Sequence, residues 1–80
     1  MEIDKFIKDF AEALELTAWS HLKPDSVFRD AVEGWDSLSA LIIITMIKSE
    51  YDVAIKANEF IECKTLSELF DKVESLKNVE

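Results

Sequence analysis

The residues of this chain best suited to chemistry stand together at Gly34-Trp35-Asp36-Ser37-Leu38, where a hydroxyl follows a carboxylate at the start of an apolar run. Side-chain oxygens of Asp and Ser both accept from the free amides of a first helical turn, so a helix should begin at Asp36 or Ser37. The same amides, with the positive end of the helix dipole, favour an anion, and a phosphodiester on the Ser37 oxygen would meet groups already pointing at it. The plain alternative is that Ser37 only caps the helix, and the local pattern leaves both open. Elsewhere the chain is sparse in chemistry. One histidine, His21, and one cysteine, Cys63, allow neither an intrachain disulfide nor a cluster with metal-ligand spacing, and both read as structural. No acid and base stand at a catalytic spacing, which makes an enzyme the poorest reading.

The elements that must position Ser37 follow from hydrophobic periodicity. From Ile3 to about Leu16, the residues Ile3, Phe6, Ile7, Phe10, Ala13 and Leu14 recur at helical spacing with charged residues between them, the mark of a first amphipathic helix. From Trp19 to Trp35 the pattern dissolves around Pro24 and the sole glycine, Gly34, into a long ordered loop anchored by Leu22, Val27 and Phe28. A second helix runs from the motif to about Tyr51. It is apolar on more than one stripe, so some side chains must face outward. Val53-Ala54-Ile55 has no second strand-like run to pair with and reads as an extended connector. Asn58 can cap a short third helix through Cys63. Thr65 with Glu68 forms the capping-box pattern of a fourth, whose buried face is Leu66, Leu69, Phe70, Val73 and Leu76.

The periodicity adds up to an all-α fold, and eighty residues make one domain, spanning 1–80, since a single compact core is the most so short a chain can build. At 49% apolar residues the chain is too hydrophobic for a disordered tail, and the run from Leu41 to Ile47 is too short to span a bilayer before Lys48 interrupts it. Met1-Glu2-Ile3-Asp4 begins like a helical turn, not a secretory leader, so the expected location is cytoplasmic. A net charge of −8 with scattered basic residues repels phosphate backbones and anionic lipid heads, so neither nucleic acid nor membrane insertion is expected. The charge favours, first, a solvated and soluble surface and, second, docking to basic patches on other proteins.

Asp36-Ser37-Leu38 resembles the phosphopantetheine attachment motif of acyl carrier proteins and related thiolation domains. The similarity covers the whole chain: a helix, a long loop bearing Phe28-Arg29-Asp30, the motif, a helix ending in Glu50-Tyr51, a short acidic helix, and a last helix opened by Thr65. The resemblance implies a stand-alone bacterial-type carrier folded as a four-helix bundle, with a long loop between its first and second helices and a short third helix. It further implies a covalent 4'-phosphopantetheine arm, moved from coenzyme A onto Ser37 by a phosphopantetheinyl transferase, with Asp36 helping the transferase engage and Leu38 an outward partner contact. Such a protein is a substrate and carrier, presenting thioester-bound acyl groups to ligases, ketosynthases or acyltransferases, and is expected to be a monomer.

Several positions depart from the family pattern. In typical fatty-acid carriers the second helix is studded with acids, but here Ser39 and Ile42 stand at two of those positions, and Lys48 and Ser49 precede Glu50. Acids persist on the short third helix as Glu59 and Glu62. An apolar patch of Leu38, Leu41 and Ile42 beside the arm is therefore expected to form the partner interface together with Glu59 and Glu62. The resemblance leaves the pathway open among fatty-acid, polyketide and specialised synthesis, but the Phe28-Arg29-Asp30 to Trp35-Asp36-Ser37-Leu38 spelling resembles carriers encoded outside primary fatty-acid synthesis, in specialised bacterial pathways that build polysaccharide decorations or secondary metabolites. Phe60 and Cys63 match positions that line the family's acyl cleft, where a bulky Phe implies short cargo. Two rivals remain: a peptidyl or aminoacyl carrier, whose motif commonly has paired glycines, and an unmodified acidic interaction module in which Ser37 is only a cap.

Overall fold

The computed structural model describes residues 2–77 and consists of helices α1 (Ile3–Ala13), α2 (Phe28–Ala31), α3 (Ser37–Tyr51), α4 (Ala57–Glu62) and α5 (Leu66–Lys77). The four helices expected from periodicity are present, and the one-turn α2 is added within the long loop. Among the described residues no strand forms, only an isolated antiparallel bridge between Val27 and Thr65, and no helix is long and apolar enough to cross a membrane.

The long helices α1, α3 and α5 pack on one another in every pairing. From α1, Phe6, Ile7, Phe10 and Ala11 enter the core, from α3 Ile43, Met46, Ile47 and Tyr51, and from α5 Leu66, Leu69 and Val73. Burying each of the larger of these side chains contributes about 1.5–3 kcal/mol. Helix α1 stops at Ala13, earlier than its apolar rhythm suggests. Glu15 turns left-handed (φ 57°), and the amides of Glu15 and Leu16 reach back to the carbonyls of Glu12 and Ala11, each at 3.0 Å. That pairing satisfies the last helical carbonyls, and no sequence periodicity reports it.

The loop between α1 and α2 is laced to the start of α5. Phe28 donates to the Lys64 carbonyl (3.2 Å), Leu66 to Ser26 (3.1 Å) and Ser67 to Pro24 (2.8 Å). Leu22 and Phe28 are buried as expected, but Val27 is 42% exposed. Its backbone, not its side chain, makes the anchor, because alternation along the bridged segment turns Phe28 inward and Val27 out. The same alternation runs through the extended Val53-Ala54-Ile55 connector, where the outer two residues are buried and Ala54 is exposed.

Capping differs from expectation at α4 and matches it at α5. Asn58 lies inside α4, which Lys56 precedes as cap residue. The Glu59 carboxylate folds back to accept the Lys56 amide (3.0 Å). At α5 the Thr65 hydroxyl accepts from the Glu68 amide (3.1 Å), while Glu68 accepts from the amides of Thr65 (3.3 Å) and Lys64 (2.7 Å).

Candidate functional site

Ser37 is the first residue of α3, and the cap before it is Asp36. The Asp36 backbone is extended, and its Oδ1 accepts from the Ser39 amide at 3.0 Å and from the Ser39 hydroxyl at 3.2 Å. Ser39 Oγ in turn faces the Asp36 amide at 3.5 Å, completing a reciprocal box. The cap position is therefore filled by a neighbour, and the exposed Ser37 side chain is released from that role. Of the readings left open in the sequence, that of Ser37 as the cap is not what forms: Asp36 takes that place. Gly34 makes the preceding turn at φ +75°, a left-handed backbone that glycine adopts without strain. The space around its Cα is open, so conformation alone explains the residue.

Beside Ser37 lies an apolar groove of about 550 Å³ between α3 and α4, walled chiefly by Leu38, Leu41, Ile44, Phe60 and Ile61. Leu38, Leu41 and Ile61 are 61%, 59% and 68% exposed, a concentration of apolar surface that core packing does not require. Ile42 is not among its walls. One residue beyond Leu41 is about 100° further round the helix, and Ile42 lies half-buried in a separate cleft towards α1, beside Asp9, Glu12, Met46 and Glu50. The expected patch thus divides: Leu38 and Leu41 remain together, while Ile61 joins them in place of Ile42. Glu62 is exposed at the end of α4, whereas the Glu59 carboxylate is engaged at the start of the same helix.

Arg29 holds the groove's far wall in place, a role the sequence did not reveal. From α2 its Nη1 donates to the Cys63 carbonyl (2.6 Å) and its Nη2 to the Phe60 carbonyl (3.2 Å), with Ile61 O at 3.5 Å. These carbonyls close the end of α4, where intrahelical donors run out and a cation suits the helix dipole; that of Phe60 also accepts from the Cys63 amide (3.1 Å). The guanidinium lies 4.7 Å from the Phe28 ring centroid and 5.5 Å from that of Phe60. The only sequence signal was an arginine in a loop otherwise rich in apolar anchors.

The remaining candidates are structural. Cys63 is buried and its thiol donates weakly to the Glu59 carbonyl (3.5 Å); burial pushes its pKa up, which suppresses the nucleophilic thiolate. It does not line the groove, although Phe60 does. His21 Nε2 is 3.1 Å from the Ala31 carbonyl and ties the loop to α2.

Ser37 thus opens a helix beside an apolar groove, exposed and outside the cap. The family model for the phosphopantetheine attachment site matches residues 4–73, and the chain belongs to that family. No match was found among curated proteins or solved structures. Membership makes the chain a phosphopantetheine-binding carrier protein with 4'-phosphopantetheine covalently attached. It is a substrate of phosphopantetheinyl transferase and serves biosynthetic enzymes without being one itself.

Proposed function

We propose that residues 1–80 form a single acyl carrier domain whose 4'-phosphopantetheine arm is attached to Ser37. The observation that carries this reading is the division of labour at the head of α3: Asp36 and Ser39 close the cap on each other, leaving the Ser37 hydroxyl exposed and uncommitted. The residues suit the group. A phosphodiester on Ser37 would stand at the positive end of a fifteen-residue helix, close to its first-turn amides. When bound, the arm supplies a terminal thiol that carries an acyl group as a thioester. The protein's own residues provide the address: Asp36 fixes the geometry a transferase engages, Leu38 and Leu41 offer apolar contact to partner enzymes, and Glu62 adds an exposed acid at the edge of that face. Glu59 and Ile42 contribute less directly, one held in a cap and the other in the opposite cleft.

Partners of this surface are the transferase and acyl-loading or acyl-using enzymes such as ligases, ketosynthases and acyltransferases, met in the cytoplasm by a monomeric carrier. The single glycine before Trp35-Asp36 favours an acyl over a peptidyl or aminoacyl carrier, and the depleted acids of α3 favour a specialised pathway over primary fatty-acid synthesis. The test is the intact mass of the protein before and after incubation with coenzyme A, magnesium and a promiscuous phosphopantetheinyl transferase. A gain of one phosphopantetheine in the wild type and none in Ser37→Ala is expected. An equal gain in the variant would move the arm to another residue.

A further inference from the structure

The groove beside Ser37 meets one aromatic ring, Phe60, and that ring is stacked on others behind it. Phe60, almost wholly buried, forms part of the groove's floor. Beneath it the half-buried Trp35 lies nearly parallel to two rings, its centroid 6.3 Å from Phe60 at 10° and 6.2 Å from Phe10 at 4°. Phe28 closes the set edge-on, 5.2 Å from Trp35 and 5.6 Å from Phe60. Rings in such contact present a filled interior, and opening a path through them would sacrifice packing that the core depends on. Arg29 fastens Phe60 from behind through its carbonyl and its ring face. Outside this stack, Leu41 and Ile61 remain exposed.

We propose that an apolar cargo tethered at Ser37 rests in this open groove and is kept out of the core by Trp35 and Phe60, which thereby restrict the carrier to short acyl groups. The inference rests on Ser37 bearing the arm. Ser37 itself lines the groove, so a tethered group samples that surface at high effective concentration. The groove covers one side of a short chain only, and further methylenes that cannot pass the rings project into water and gain nothing from burial.

The test is thermal melting of protein loaded with acetyl, butanoyl, hexanoyl, octanoyl or decanoyl pantetheine from the corresponding acyl-coenzyme A. Intact mass confirms loading first; a chain that takes no arm at Ser37 fails the attachment reading, not this one. In wild type, chains beyond butanoyl should change Tm by less than about 1 °C, whereas Trp35→Ala or Phe60→Leu should show a rise of about 3 °C or more from butanoyl to decanoyl. The second substitution retains apolar volume in case the first does not fold. A steady rise in wild type, or a flat response in every folded variant, would overturn the proposal. Leu41→Asp with Ile61→Asp, both at exposed positions, should abolish any rise from acetyl to butanoyl; its persistence would place short cargo elsewhere.

Discussion

The two seams flanking α3 are built on opposite principles. Towards α4 the surface is an apolar groove beside Ser37, held from behind by Arg29, while towards α1 it is a cleft whose apolar floor of Ile42 and Met46 is rimmed by Asp9, Glu12 and Glu50. The second seam is pinned by a polar contact, Tyr51 Oη donating to Asp9 Oδ2 at 2.6 Å, with Lys5 Nζ on the same oxygen at 2.8 Å. One helix, apolar almost all round, thus presents two different surfaces. Its neighbours, more than its own pattern, decide which apolar residues meet solvent.

The largest effect on this contrast should come from Arg29→Met, which keeps much of the stem but leaves the end of α4 without its charged donor. Chemical denaturation should show a loss of about 2–3 kcal/mol, and the reactivity of Cys63 towards a thiol reagent should rise as α4 loosens. Next, Leu41→Glu should weaken binding to an acyl-using partner by about tenfold, equivalent to about 1.4 kcal/mol, as measured by titration calorimetry. Ile42→Glu, on the other seam, should leave that affinity within about twofold. Equal losses from both would erase the distinction between the surfaces.

Smaller effects are expected at the α1 seam. Tyr51→Phe should cost about 1 kcal/mol in denaturant and leave transferase loading unchanged, because it removes one hydrogen bond far along α3 from Ser37. Burial pushes the Asp9 carboxyl up, but the hydrogen bonds from Lys5 and Tyr51 outweigh it and hold the group below its ordinary 3.8. The backbone amides of Lys64 and Thr65 likewise hold Glu68 below 4.5. Both carboxylates bind protons more weakly folded than unfolded, so their stabilisation is present above the ordinary values and is lost as pH falls through the folded ones. Melting temperature should therefore drop between about pH 5 and pH 2. Asp9→Asn should flatten part of that acid limb, and an unchanged limb would show that the pair contributes nothing.

Much of this arrangement was legible beforehand because it depends on short-range rules. The Thr65 to Glu68 capping box, the apolar stripe of α1 and the start of α3 all follow from residue type and spacing. The divergences arise where contacts distant in sequence decide. Asn58 is a better cap former than Lys56, yet the chain enters α4 two residues earlier and uses the Glu59 carboxylate instead. Ile42 and Leu41 are alike in type, and only the places of α1 and α4 separate their faces. Arg29 reaches carbonyls more than thirty residues away, a contact that no local pattern encodes. At the site itself the motif was readable, but the assignment of the cap to Asp36 required the side-chain geometry.

That assignment bears on the protein's life cycle. Because Asp36 and Ser39 close the helix on each other, the cap does not depend on the Ser37 hydroxyl. An arm on Ser37, as proposed, would leave that cap intact, so folding would not have to wait for modification, and removal of the arm would return a chain ready to be modified again.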